Sequence, residues 1–353
     1  MFEKLGYNKY EKDKIINSYT LKRYNINTLE NKLVNTFNYF KNIGYSPESI
    51  IRMTVILPTL INYKDVTLDK RFIFLKSLGY SLDEIIKTSS KSPSILTISE
   101  ENILDKLDYL KSLGYSKNDI HRMTVLVPSL FSLSINVLKE RRKNLIDLGF
   151  NEKEINKITS KIPSIYTEPN NKLNEKNAYL KTYGYDLDII KKMILKAPSL
   201  LAFSIKRLDD KKDFLISLGF NFNEVSYLIK FNPVIFNLSE ENIISKVNFF
   251  KDKGYSLEET RYILLKLPTI FNYSLDSLEE KLNILKEANL EKEFLNRPSY
   301  LMQSSILSFS RLEFLKENGF TLDHKAFNYL LMSSKDFEKN SELVMIWLKK
   351  DIL

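Results

Sequence analysis

The chain has 353 residues, 43% of them hydrophobic, and its 53 Lys and Arg against 44 Asp and Glu give a formal net charge of +9. It contains no cysteine, which excludes disulfides, thiolate zinc sites and a cysteine nucleophile. No run of about 18 apolar residues is present, so we expect no membrane-spanning helix. His121 and His324 are the only histidines and lie far apart, and there is no glycine-rich phosphate loop. We therefore expect no enzyme activity, no metal and no cofactor.

Glycine and proline recur along the chain with one strict period. Seven of the nine glycines are spaced 35 residues apart, and seven of the ten prolines follow 14 residues after one of them. A fixed period near 35 residues predicts an all-α solenoid of about eight repeats, each made of two helices. The glycines are Gly44, Gly79, Gly114, Gly149, Gly184, Gly219 and Gly254, and the prolines are Pro58, Pro93, Pro128, Pro163, Pro198, Pro233 and Pro268.

The repeat that ends at Pro268 shows the predicted elements. Ser239 is a predicted N-cap for the first helix, which ends at Gly254 because glycine tolerates the left-handed conformation of a helix end. Ser256 with Glu259 predicts a capping box for the second helix. Pro268 ends that helix, since proline disfavours helical geometry in the residue before it.

The ends of the chain depart from this pattern. We expect an N-terminal cap at residues 1–26, a single elongated repeat domain at 27–319 and a C-terminal helical cap at 320–353. Asn27 with Glu30 is the predicted capping box of the first full helix. Trp347 is predicted to seal the last apolar face, because a terminal repeat has no neighbour to cover it.

The eighth repeat is predicted to be degenerate. Asn289 stands where the glycine is expected, and asparagine also tolerates the left-handed region. Pro298 follows only nine residues later, which predicts a second helix about five residues shorter than the others.

An aromatic residue follows each repeat glycine. Packing against the helix that the chain has just left is favoured over base stacking, because residues just past a helix end commonly pack back on it. These residues are Tyr45, Tyr80, Tyr115, Phe150, Tyr185, Phe220 and Tyr255.

Two solvent-facing positions of the second helix hold cations and no acid. They lie eight and twelve residues after the repeat glycine, one turn apart on the face opposite the apolar residues. The outward position of the first helix is mostly acidic, so the exposed negative charges lie on the first helices and the exposed positive charges lie on the second helices. This pattern predicts a basic stripe that binds nucleic-acid phosphates, in preference to a solubilising surface. The predicted contacts are Arg52, Lys87, Arg122, Lys157 and Lys192 at eight, and Lys91, Lys161, Lys196 and Lys266 at twelve.

Two tyrosines continue the first of these columns. Tyr227 and Tyr262 lie eight residues after Gly219 and Gly254. Exposed tyrosines can stack on bases, but they are equally ordinary amphipathic surface residues, and the sequence favours the second interpretation.

A further basic column begins at Arg71 and lies eight residues before the repeat glycine, or before Asn289 in the eighth repeat, within the apolar face of the first helix. A buried ammonium is costly, so each stem is expected to pack while its head reaches water, a carbonyl or an acid. A structural role is favoured over ligand contact. The acids five after the glycine are the candidate partners, namely Glu84, Asp119, Glu154, Glu224 and Glu259. The basic residues are Arg71, Lys106, Arg141, Lys176, Lys211, Lys246, Lys281 and Arg311.

The repeat resembles that of the mitochondrial transcription termination factor (mTERF) family. The similarity is carried by PSILTISEENILDKLDYLKSLGYSKNDI (Pro93 to Ile120) and PSLLAFSIKRLDDKKDFLISLGFNFNEV (Pro198 to Val225), and it runs from about residue 30 to 320. The resemblance implies a half-doughnut-like superhelix whose repeats each contain two α-helices and a 3₁₀ turn at the Pro-Ser segments. It also implies a basic groove for nucleic acid, most often duplex DNA, and a role in organellar transcription, its termination, ribosome assembly or RNA maturation.

These observations together predict a monomeric, non-catalytic protein that binds double-stranded DNA and no membrane. Most of the stripe is lysine, so we expect weak sequence preference, because base readout needs bidentate Arg, Asn or Gln. One alternative is an RNA-binding protein, for which Tyr227 and Tyr262 are the discriminating residues. Another is a protein-binding scaffold with an acidic partner.

The sequence shows no targeting signal at its start, since MFEKLGYNKYEKDK has no apolar stretch and already contains acids. We expect a cytoplasmic or nucleoid-associated protein, or a mitochondrial matrix protein if a presequence has been removed.

Overall fold

A computed structural model describes residues 1–18 and 20–340, and every regular element within these ranges is a helix. The described chain forms two compact units, Met1–Ala202 and a second that begins at Phe203. Within each unit the helices follow one another as repeated pairs, so the prediction of an all-α solenoid is confirmed. The predicted contact of Trp347 lies outside the described residues.

The first unit opens with a 3₁₀ turn at Glu3–Leu5 and helix α1 (Lys9–Ile16), followed by five helix pairs. The first helices of the pairs are α2 (Ile26–Ile43), α4 (Asp65–Ser77), α6 (Glu100–Ser112), α8 (Ile135–Asp147) and α10 (Asn170–Lys181). The second helices are α3 (Pro47–Ile56), α5 (Leu82–Lys91), α7 (Lys117–Leu126), α9 (Glu152–Lys161) and α11 (Leu187–Lys196).

The second unit continues the pattern and then changes at its end. Its paired helices are α12 (Ile205–Ser217), α13 (Phe222–Phe231), α14 (Glu240–Asp252), α15 (Leu257–Lys266), α16 (Leu275–Glu287) and α17 (Glu291–Asn296). The chain then forms α18 (Ser305–Glu317), α19 (His324–Leu331) and α20 (Ser334–Lys339).

A 3₁₀ turn follows the second helix of each pair and begins at the repeat proline, as the family resemblance implied. These turns are Pro58–Asn62, Pro93–Leu96, Pro128–Ser132, Pro163–Tyr166, Pro198–Leu201, Pro233–Asn237, Pro268–Asn272 and Pro298–Met302.

The predicted helix ends of the last regular repeat are confirmed. The Ser239 side chain accepts a hydrogen bond from the Asn242 N–H, and Ser256 and Glu259 form both hydrogen bonds of a capping box. Gly254 has a φ of 92°, a conformation that costs glycine little because it has no Cβ.

The degenerate eighth repeat also matches its prediction. Asn289 has a φ of 55°, the only positive φ of a non-glycine residue in the described chain. Helix α17 has 6 residues where α15 has 10, so the early proline shortens the second helix and leaves the repeat otherwise intact.

The predicted N-cap of α2 is wrong by two residues. The helix begins at Ile26, and the Asn25 side chain accepts the hydrogen bond of the Thr28 N–H. Asn27 therefore lies inside the first turn. Asn25 offers the same capping oxygen two residues earlier, which lengthens the helix at its N-terminal end.

The aromatic column packs inside the protein and also joins successive repeats. Tyr45 lies edge-on to Phe40, with ring centroids 5.0 Å apart, which confirms the predicted packing on the preceding helix. Its hydroxyl lies 2.6 Å from Ser89 Oγ in the next repeat, and Tyr80 makes the same contact with Thr124 at 2.5 Å. The position after the glycine thus contributes apolar packing, and at Tyr45, Tyr80 and Tyr115 it also contributes a buried hydrogen bond between repeats.

Candidate nucleic-acid interface

The second helices of the first unit form the layer that carries the predicted stripe. Helices α3, α5, α7, α9 and α11 pack side by side in that order. Packed helices lie about 8–10 Å apart, so equivalent positions on five neighbours span roughly 35 Å. One residue of each helix lies eight after the repeat glycine and is exposed: Arg52, Lys87, Arg122, Lys157 and Lys192.

The column one turn further along is only partly basic. Lys91, Lys161 and Lys196 are exposed there on α5, α9 and α11. The same position holds Ile56 on α3 and Leu126 on α7, which are 49% and 50% exposed. On α3 and α7, an arginine is therefore followed one turn later by an exposed aliphatic residue. On α5, α9 and α11, a lysine is followed one turn later by a second lysine.

Most cations of the column eight residues after the repeat glycine form no ion pair among the described residues. Arg122 pairs with Asp119 at 3.1 Å, and both side chains are solvent-accessible, so that ion pair is weak. Among the described residues, no ion pair involves Lys87, Lys157 or Lys192. Their charges are available to an anion that comes close to this face.

The three predicted contacts of the second unit form an aromatic surface. Tyr227 on α13 and Tyr262 on α15 are 43% and 40% exposed. The Tyr227 ring lies 4.5 Å from the ring of Phe231, and the Lys266 ammonium lies 5.4 Å from the Tyr262 ring. Phe231, 45% exposed, was missed by the sequence analysis. It lies twelve after the repeat glycine, a column considered only for its lysines.

The basic column of the first helices lies mostly in the interior. The Lys211 ammonium donates to the Leu238 carbonyl at 2.8 Å, and the Lys281 ammonium donates to the Leu301 carbonyl at 2.7 Å. Leu238 directly follows the 3₁₀ turn of the same repeat, and Leu301 lies within its turn. Arg311 donates to the carbonyls of Leu330 and Met332. Arg71 and Arg141 are half-buried. The buried members are Lys106, Lys176, Lys211, Lys246, Lys281 and Arg311.

Burial has a direct electrostatic effect on these side chains. Removal from water disfavours the charged form and lowers the pKa of the ammonium in Lys106, Lys176, Lys211, Lys246 and Lys281. Groups held in this way against backbone carbonyls do not form a surface for a macromolecule. The geometry agrees with the structural interpretation of this column.

The acids proposed as partners of that column have other contacts. Glu84, Glu154 and Glu224 each close a capping box at the start of a second helix. They also bind a side chain of the following repeat, as Glu154 does with Lys191 at 3.0 Å and Glu224 with Arg261 at 2.6 Å. Of the partners expected for the basic column, the described residues therefore show backbone carbonyls, as for Lys211 and Lys281, and no ion pair with these acids.

Both histidines take part in such contacts between repeats. His121 Nε2 lies 2.9 Å from Glu84 Oε1, and its ring stacks on Tyr80 with centroids 4.7 Å apart. His324 Nδ1 lies 2.7 Å from Glu293 Oε2. Across residues 1–18 and 20–340, no group of three His, Cys, Asp or Glu side chains is arranged to hold a metal. In the same ranges no helix has the length and apolarity needed to cross a membrane.

Comparison with protein-family models identifies the family of the chain. No curated protein matches the chain. The sequence model of the mTERF family matches residues 1–147 and 167–338, which cover nearly the whole repeat array. The chain therefore belongs to the mTERF family.

Proposed function

We propose that the protein binds nucleic acid without catalysis, and that the exposed cations of α3, α5, α7, α9 and α11 contact its phosphates. The observation that carries the proposal is the single row of five exposed cations on five adjacent helices, at a position where no repeat has an acid. Each phosphate neutralised by such a side chain releases condensed counterions, which favours binding and makes it depend on salt.

Duplex DNA is the proposed ligand. The row spans roughly 35 Å, and B-DNA carries one charge per about 1.7 Å of axis, so a duplex offers phosphates along the whole row. Lysine predominates, and lysine acts as a point charge on phosphate and not as a bidentate reader of bases. Membership of the mTERF family, whose members are helical-repeat proteins that bind nucleic acid, supports this ligand class and a role in transcription or its termination.

Single-stranded RNA is the second candidate, favoured by the aromatic surface of the second unit. Tyr227, Phe231 and Tyr262 are all about 40–45% exposed, and base stacking on such rings contributes about 1–3 kcal/mol per base. An RNA-binding protein would use this surface in RNA maturation or ribosome assembly.

A charge reversal tests the proposal. The variant Lys87→Glu, Arg122→Glu, Lys157→Glu, Lys192→Glu changes four residues of the row. We expect it to lose at least about 100-fold in duplex affinity, since four phosphate contacts become repulsions. The matched control reverses four exposed lysines of the first helices, Lys70, Lys111, Lys143 and Lys181.

Both variants carry the same net charge, so total charge cannot explain a difference between them. Circular dichroism shows whether each is folded. Equal affinities for the two variants would contradict the assignment of the row and favour a protein-binding scaffold.

A further inference from the structure

The chain around Gly6 has the backbone conformation of the later repeat glycines. Gly6 has a φ of 94°, its N–H donates to the Glu3 carbonyl, and the Tyr7 N–H donates to the Phe2 carbonyl. Gly44 and the residue after it donate in the same way, three and five residues back along the chain. Such a pair of hydrogen bonds closes a helix end at a glycine. The sequence conceals the equivalence, because Gly6 lies 38 residues before Gly44 and not 35.

The side chains beside Gly6 also occupy the positions of the repeat. Phe2 lies four residues before Gly6, an offset that is apolar in every later repeat. Its ring meets the Tyr7 ring edge-on, with centroids 5.6 Å apart, and the Tyr7 hydroxyl lies 2.7 Å from Thr54 Oγ1 in the next repeat. Residues 2–16 therefore form part of one more repeat, which we call the N-terminal half repeat.

Helix α1 is the second helix of this half repeat and packs against α3. Asn8 and Glu11 form its capping box, at the same offsets as the capping boxes of α5, α9, α13 and α15. Lys14 lies eight residues after Gly6, the offset of Arg52 and the other cations of the row. It is exposed, and among the described residues no ion pair involves it. The second helices of the first unit thus carry six cations at this offset.

The neighbouring acid Asp13 is exposed as well but lies on another side of α1. One residue corresponds to a rotation of about 100° around a helix. The offset of Asp13, seven after the glycine, holds Lys191 and Arg261 in later repeats, and these side chains bind acids of the preceding repeat. By this equivalence Asp13 points away from α3, and the side of α1 that continues the row carries the lysine.

We propose that Lys14 is a sixth phosphate contact and that α1 extends the duplex-binding surface, an inference that rests on the proposed function. Helices packed about 8–10 Å apart place six equivalent positions across roughly 45 Å, compared with roughly 35 Å for five. At about 3.4 Å of axis per base pair, the contacted stretch of duplex grows from about 10 to about 13 base pairs.

Single cysteines test this contact directly, because the chain has no cysteine of its own. The full-length variants Lys14→Cys, Lys157→Cys and Lys4→Cys are each labelled with an aryl azide, mixed with a duplex DNA of about 25 base pairs and irradiated. Lys157 belongs to the row, and Lys4 is an exposed lysine of the 3₁₀ turn before Gly6. We expect the label to crosslink to DNA in Lys14→Cys and Lys157→Cys and not in Lys4→Cys.

The salt dependence of binding gives a second readout. One phosphate contact contributes about 0.9 to the log–log slope of affinity against salt, so Lys14→Gln should make the slope shallower by that amount. The control Lys4→Gln should leave the slope unchanged. Crosslinking in Lys157→Cys alone, together with an unchanged slope in Lys14→Gln, overturns the sixth contact and leaves the proposed function intact. Crosslinking in none of the variants overturns the proposed function as well.

Discussion

The Tyr80 hydroxyl lies 2.5 Å from Thr124 Oγ1, which belongs to the second helix of the next repeat. Thr124 also donates to the Ile120 carbonyl of its own helix. The contact therefore links the chain just after the end of α4 to helix α7. Tyr45 with Ser89 and Tyr7 with Thr54 form the same kind of link. These buried hydrogen bonds fix the register between successive second helices, which carry the basic row.

Removing such a link should cost stability. We expect Tyr80→Phe to lower the free energy of unfolding by about 1 kcal/mol, the typical net contribution of one buried hydrogen bond. Thr124 keeps its bond to Ile120, so no buried group is left wholly unpaired. Urea denaturation measures the change, and Tyr10→Phe at a residue that is 72% exposed is the control. A variant as stable as the original chain would show that ring packing alone holds the repeats in register.

The contact of Glu84 with His121 should make stability depend on pH. The pKa of the Glu84 carboxyl is lowered, first by the hydrogen bond of the Ser81 N–H and then by His121. A carboxylate with a lowered folded pKa stabilises the fold above its unfolded pKa, about 4.3. That contribution is lost as the pH falls through the folded pKa.

We therefore expect Glu84→Gln to be less stable than the original chain at pH 7, by less than about 1 kcal/mol because the pair is partly exposed. The difference should shrink as the pH falls below about 4. Denaturation at a series of pH values measures it, with Asp105→Asn at an exposed position of α6 as the control. A difference that stays constant across this range would mean that the carboxylate charge contributes nothing.

A substitution of one buried lysine distinguishes a structural role of the basic column from contact with a ligand. Lys281→Met keeps most of the side-chain length but removes the donor of the Leu301 carbonyl. We expect the free energy of unfolding to fall by about 1–2 kcal/mol, since a charged hydrogen bond is lost and an acceptor is left unpaired. Nucleic-acid affinity should not change. The opposite result, full stability with weaker binding, would assign this column to the ligand.

The aromatic surface of the second unit distinguishes the two nucleic-acid candidates. The triple variant Tyr227→Ala, Phe231→Ala, Tyr262→Ala should change duplex affinity less than about threefold, because phosphate contacts dominate duplex binding. Affinity for a single-stranded RNA should fall by about tenfold or more if bases stack on these rings. Leu257→Ala, at a residue that is 46% exposed on α15, is the control. A large loss of duplex affinity would contradict the proposed use of the row of five exposed cations.

Much of the local structure could be predicted because single residues determine helix ends. Gly254 and Asn289 adopt the left-handed conformation, and Pro268 and Pro298 each start a 3₁₀ turn. The cap at Asn25 was missed because two asparagines lie close together and either can cap a helix.

Contacts between repeats were harder to predict, because each joins two residues that lie at different distances from the glycines of their own repeats. Tyr80 pairs with a residue 44 positions later, and Glu84 pairs with one 37 positions later. Reading one column at a time cannot reveal such pairs. A carbonyl was one of the partners expected for Lys281, but Leu301 could not be identified as its source, since a backbone carbonyl leaves no mark in the side-chain sequence.

The salt dependence of binding tests the central claim most directly. Fluorescence anisotropy with a duplex DNA of about 25 base pairs, and with a matched single-stranded RNA, gives the affinity at each salt concentration. The account predicts duplex binding at physiological salt with a log–log slope of roughly −4 or steeper, as five phosphate contacts require. Tighter RNA binding would shift the function to the aromatic surface. Affinity no better than a non-specific level of roughly 10⁻⁴ M for both ligands would contradict nucleic-acid binding by this row.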